Sequence, residues 1–167
     1  MWWILTELST MWRMNTKIWI GLSLHSLVYS ADKRGPHGGK LHQRLAANRQ
    51  DPRVCVIGHC GQPKFKFDYE RVIPEFGRGG KLVEINNNSF HVRRDAVINC
   101  REIALLCKKH GVRVIVNTDS HFATQVGHAG LALKMLDDIG FPEELVVNSS
   151  VERFRQYLKE RNIHLED

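Results

Sequence analysis

Asp119 and His121 stand two residues apart, just beyond the apolar run Val112–Val116. On an extended chain, alternate residues share a side, so a carboxylate and an imidazole would stand together at a strand end. Such a pair makes half of a metal site, and it also makes an ordinary hydrogen-bonded pair. Two more imidazoles follow apolar runs: His25 after Ile18–Leu24 and His59 after Val54–Ile57. Imidazole nitrogen suits zinc, manganese or iron, and a carboxylate can bridge two such ions. A metal held by these residues would polarise a phosphoryl oxygen and lower the pKa of a bound water, which gives an attacking hydroxide at neutral pH. Arg93 and Arg94 follow the third apolar run. They could grip a phosphate bidentately, or they could be a solvated loop pair.

Each of these residues also has a plainer reading. A single His after a strand is commonly a surface or capping residue, so His25 alone says little. His59-Cys60-Gly61 could simply make a turn, with Cys60 a packed thiol rather than a ligand. The run Asn86-Asn87-Asn88-Ser89 suits turn chemistry, because Asn tolerates the backbone that tight turns need. His37, His42, His91, His110, His128 and His164 read as surface or helix residues.

The elements that must position these groups follow from the hydrophobic pattern. Short apolar runs at Ile18–Leu24, Val54–Ile57, Leu82–Ile85, Val112–Val116 and Leu145–Val147 read as strands buried on both faces. Helical periodicity fills the intervals. Asp95–His110 places Val97, Cys100, Ile103, Ala104 and Cys107 on one face, with Gly111 as the stop. His128–Ile139 repeats the pattern with Leu131, Met135, Leu136 and Ile139, and stops at Gly140-Phe141-Pro142. A last helix opens on a capping box of Ser149 and Glu152 and buries Val151, Phe154 and Leu158. Weaker helical signals lie at Lys40–Asn48 and Tyr69–Phe76. Strands recurring about every 30 residues with helices between them imply βα units on a parallel sheet. The carboxyl ends of parallel strands share one face. His25, His59, Asn86, Asp119 with His121, and Asn148 would therefore converge. That convergence, more than any one motif, argues for a site.

The totals set the class. The chain has 167 residues, 43% of them apolar and 25% charged, with a net charge of +6 and a pI near 9.3. One domain with a sizeable core is expected, spanning residues 17–167, with residues 1–16 unassigned. The positive charge favours anionic partners, but the basic residues are scattered. Nucleic-acid binding is disfavoured, since no aromatic-basic face is evident. Cys55, Cys60, Cys100 and Cys107 form no C-x-x-C pair and read as reduced thiols in a cytoplasmic protein. In the apolar N-terminal stretch, Glu7, Arg13 and Lys17 break any run long enough to span a bilayer, and no basic leader or cleavage site is present.

Four segments carry a resemblance: "VIGHCGQPKFKFDYERV", "LVEINNNSF", "NCREIALLCKKHGVRVIVNTDSHFATQVG" and "DDIGFPEELVVNSSVERFRQYLKERN". Together with "IGLSLHSLVYS" they resemble the PHP (polymerase and histidinol phosphatase) superfamily over about 17–162. The most similar members are its stand-alone zinc-dependent probable phosphatases. The resemblance implies an α/β fold, a distorted TIM-like βα barrel with parallel strands and intervening helices, and up to three metal ions at the carboxyl face. It carries His25, His59, Asp119 and His121 over as metal ligands: Asp119 for one ion, His25 and His59 for a second, His121 for a third. It further implies hydrolysis of a phosphorylated small molecule by a metal-held water, with zinc (or manganese or iron) as cofactor and no catalytic side chain beyond the ligands. Cys60 stands where the family usually has Pro. The family's opening H-x-H strand and bridging Glu have no counterpart before Lys17, so the chain resembles the C-terminal portion of such a barrel. Impaired activity is expected on that ground. The alternative is a non-catalytic fragment that binds metal weakly or serves as an interaction module. A sheet edge exposed in this way would favour homo-oligomers.

Overall fold

The computed structural model describes residues 21–23, 54–63, 66–92, 94–120 and 122–163. The expected helix at Lys40–Asn48, the segment 1–16 and the candidate residues His25, Arg93 and His121 lie outside them.

Four parallel strands stand side by side in chain order: β1 (Gly21–Ser23), β2 (Val56–Gly58), β3 (Leu82–Asn86) and β4 (Val114–Asn117). Helix α1 (Tyr69–Arg78) joins β2 to β3, and the short α2 (Ser89–Val92) with the long α3 (Arg94–His110) joins β3 to β4. Helices α4 (Gly130–Asp138) and α5 (Val151–Glu160) follow. The α/β class and the parallel pairing agree with the periodicity. Among the described residues the sheet is open, not closed into a barrel.

The helices form where the sequence places caps and apolar stripes. Asp68 accepts a hydrogen bond from the Arg71 amide at 3.1 Å and so starts α1, which buries Tyr69, Val72, Ile73 and Phe76 at helical spacing. Gly111 ends α3 at φ +64°, and the Val112 amide donates back to the Cys107 carbonyl at 2.8 Å.

Each sheet face has its own core. Ile57, Val83, Ile85, Val114 and Val116 pack with α1, α3 and α4 on one side. On the other, Cys55, Val56, Leu82 and Ile115 meet Phe154, Tyr157 and Leu158 of α5. The apolar part of this second face stops partway along the strands. On β3, Leu82 faces α5, while Glu84 and Asn86, two and four residues further on, share its side of the strand.

Several expectations change in detail. Leu145–Val147 is not a strand: Val146 makes a single parallel bridge to Val114 between two short 3-10 turns. The Asn148 amide does what a neighbouring strand would, accepting from the Val116 amide at 3.0 Å and donating to the Val116 carbonyl at 2.7 Å. Helix α5 is capped by Ser150, not Ser149, with the Arg153 amide donating to its hydroxyl at 3.2 Å. Glu152 therefore falls one residue short of the capping-box position. Leu131 is 42% exposed, because Ala132, Met135 and Leu136 form the buried stripe of α4. Val97 and Val151 are only half-buried.

Candidate functional site

At the carboxyl edge of the sheet, His59 directly follows β2 and Asp119 stands two residues beyond β4. Strand β3 lies between them, so two strand spacings, roughly 10 Å, separate the two strand axes. Both residues have left-handed backbone, φ +56° at His59 and +51° at Asp119. Among the described non-glycine residues, only Asn162, just past the end of α5, shares that sign. A side chain in this region costs about 1–2 kcal/mol, and such strain concentrates at functional sites. Here it falls on both of the described candidate ligands.

Local contacts show how the strain is held. The His59 carbonyl accepts from the Gln62 amide at 3.1 Å, which closes a turn. Gly61 in that turn lies against α3, where an added Cβ would stand 2.3 Å from the Cys100 Sγ and 3.2 Å from the Ala96 carbonyl. Asn99 fastens the turn by donating to the Gly61 carbonyl at 3.0 Å. The turn reading of His59-Cys60-Gly61 is thus correct, and the turn is what presents the imidazole.

Between the two candidate ligands stands Glu84. One carboxylate oxygen accepts from the His59 backbone amide at 2.6 Å, and the other accepts from the Asn117 side-chain amide at 2.9 Å. The Nδ1 of His59 lies 3.2 Å from the Asn86 Nδ2 and 4.0 Å from the carboxylate of Glu84. The His59 and Glu84 side chains are 22% and 11% exposed, so the group forms a shallow, solvent-reachable floor. Past β4, the Thr118 and Ser120 hydroxyls are 2.6 Å apart.

Asn86 and Asn87 serve the framework. Asn86 Oδ1 accepts from the Ser89 amide at 3.2 Å, which is turn chemistry of the kind expected. Asn87 reaches across to the loop after β4, accepting from the Ala132 amide at 2.9 Å and donating to the His128 carbonyl at 2.8 Å. It caps the first turn of α4, where Ala129 offers no side-chain acceptor. Asn148 likewise ties down the edge of β4 and does not join the site.

The cysteines also resolve. All four are free and buried. Cys60, beside His59, donates to the Ile57 carbonyl at 3.1 Å. Burial, reinforced by the Glu84 carboxylate, holds its thiol well above the ordinary range. Its contact is with the packed strand end, which agrees with the packed-thiol reading. His91, His110 and His128 are exposed, and Arg94 opens α3. Among the described residues, no three His, Cys, Asp or Glu side chains gather into a metal cage.

Sequence reasoning overlooked Glu84 and Asn117. Glu84 left a signal, since an acid in the middle of "LVEIN" must either face water or find partners. Asn117 left none.

No family model matches the chain. Among curated proteins, one from Acetivibrio thermocellus is 41% identical over 112 residues, 67% of this chain and 46% of that protein. One from Caldanaerobacter subterraneus subsp. tengcongensis is 44% identical over 113 residues, 67% of this chain and 44% of its own length. A third, from Clostridium novyi, is 39% identical over 127 residues, 74% of this chain and 52% of its own. All three are named probable phosphatases. The chain spans about half the length of these phosphatase relatives. No helix among the described residues is long and apolar enough to cross a membrane.

Proposed function

We propose that the chain is a metal-dependent phosphatase that hydrolyses phosphate monoesters, with His25, His59, Asp119 and His121 as its metal ligands. One observation carries the reading: in a chain whose relatives are named probable phosphatases, the strained left-handed residues at the ends of β2 and β4 are His59 and Asp119. Imidazole and carboxylate are donors that zinc, manganese and iron accept. The Nδ1 side of His59 faces Asn86 and Glu84, while its Nε2 makes no hydrogen bond among the described residues.

Zinc, or manganese or iron, would supply an activated water and polarise the phosphoryl oxygen. Asp119 would hold one ion, His25 and His59 a second and His121 a third. Arg93 and Arg94 would bind the phosphate of a small-molecule substrate. A distorted barrel of the PHP type accommodates this arrangement, since parallel strands in chain order form one sector of such a barrel. Reduced cysteines support a cytoplasmic location, and homo-oligomers through the edge of the Ile18–Leu24 strand belong to the same reading.

A second reading rests on the extent of the match, about half of each relative. In it the chain binds metal weakly without turnover, or acts as an interaction module. Metal analysis combined with p-nitrophenyl phosphate hydrolysis in excess zinc or manganese separates the two. Bound metal with turnover, both lost in Asp119→Asn and His121→Ala, supports the phosphatase. Bound metal without turnover favours the second reading. Unchanged stoichiometry in both variants overturns the ligand assignment.

A further inference from the structure

The carboxylate of Glu84 has a place that neither the motif resemblance nor the relatives assign. It sits on the central strand and binds both neighbours: the His59 amide beyond β2 at 2.6 Å and the Asn117 side chain on β4 at 2.9 Å. Each contact lies close to a candidate ligand. The first is the backbone of His59 itself, and the second is two residues before Asp119. We infer that Glu84 is the positioning residue of the site, a clamp that holds the two ligand-bearing strand ends in register across β3.

The physical case starts from the backbone. His59 is left-handed at φ +56°, a conformation that persists only where the surroundings hold it. Its amide points at a carboxylate, and a hydrogen bond to a charged acceptor is about twice as strong as a neutral one. Closure of the 59–62 turn and the contact of Gly61 with α3 restrain the residues that follow. Glu84 restrains the residue itself. The same carboxylate lies 4.0 Å from Nδ1, beyond hydrogen-bond reach, so it holds His59 through the backbone amide.

Asn117 completes the clamp. Its side-chain amide donates to Glu84, while its backbone carbonyl accepts from the Asn87 amide at 2.8 Å. Asn87 in turn holds the far end of the loop that starts at Thr118, through the His128 carbonyl and the Ala132 amide. The loop that carries Asp119 is therefore anchored at one end to Glu84 of β3 and at the other to Asn87, the residue just past that strand.

This role rests on the proposed metal site, but one of its tests does not. Hydrogen exchange at the His59 amide can be measured in the metal-free chain, and zinc affinity by competition with a chromophoric chelator. Glu84→Gln keeps one acceptor for the His59 amide, and Asn117 can turn its amide to accept from the new NH2 group. Glu84→Met matches the length and removes both acceptors. The expected result is His59 protection retained in Glu84→Gln and lost in Glu84→Met. Zinc affinity should fall about 10- to 100-fold in Glu84→Met, the usual cost of losing such a partner, and much less in Glu84→Gln.

Wild-type exchange and affinity in Glu84→Met would overturn the clamp. Equal loss of zinc affinity in both variants, with His59 still protected in Glu84→Gln, would also overturn it, because Glu84 would then act through its charge. If the wild-type chain binds no zinc, the metal reading falls and the exchange result alone decides the clamp. Should Glu84→Met fail to fold, Asn117→Ala removes one of the two bonds and carries the same pair of measurements. Unchanged values there overturn the proposal.

Discussion

Replacing His59 by Gly and by Ala should give stabilities in the reverse of the usual order. Both variants remove the imidazole and its contact with Asn86. They differ only in the Cβ, on a backbone at φ +56°. Left-handed geometry costs an L-residue about 1–2 kcal/mol, while Gly forfeits about 0.5–1 kcal/mol through the freedom of its unfolded chain. The balance favours Gly by roughly 0.5–1 kcal/mol, a shift of about 1–4 °C in Tm for a domain of this size. At an ordinary extended position the Cβ penalty is absent and Ala wins. Urea denaturation of the two variants, with matched m-values, measures the difference directly. Neither should retain wild-type zinc affinity, so Gly would improve stability over Ala at a site where function is lost from both. If His59→Ala equals or exceeds His59→Gly, the left-handed backbone is not a feature of the folded chain, and the strain argument for the site fails.

Three other outcomes follow from the packing. Gly61→Ala drives a methyl against the Cys100 Sγ, 2.3 Å away; it should cost about 1–3 kcal/mol by overpacking, and Cys100→Ala in the same chain should recover part of that in denaturant titrations. Tyr157→Phe removes a hydroxyl that donates to the Cys55 carbonyl at 3.0 Å and lies 3.1 Å from the Gly80 carbonyl, so it should cost about 1–2 kcal/mol without changing metal binding. Burial pushes the Cys100 and Cys107 thiols from 9.0 up to about 12, with the Glu84 carboxylate adding to the rise at Cys100. Below pH 9.0 both states keep these protons; above it the unfolded chain releases them first, so their stabilisation is lost as pH climbs from 9.0 towards 12. The loss should approach 1.4 kcal/mol per thiol for each pH unit, and unfolding midpoints compared on either side of that threshold should fall less steeply in Cys107→Ala.

The sequence by itself determined the α/β class, the parallel strands and four of the helices to within a few residues. Those features depend on local periodicity and on stop signals such as Gly111, which any folded context would respect. It also singled out His59 and Asp119 as candidates, because ligand-type residues after apolar runs are visible one strand at a time. Only the tertiary structure decided what surrounds them. Asn87 caps a helix whose third residue is 45 positions away, and Asn148 fills in for a strand neighbour 32 positions away. Glu84 joins two strand ends, 25 and 33 residues from it in opposite directions along the chain. None of these roles has a period or a spacing. A long-range hydrogen bond depends on which backbone groups the packed sheet leaves without partners, and that is settled only when the strands come together.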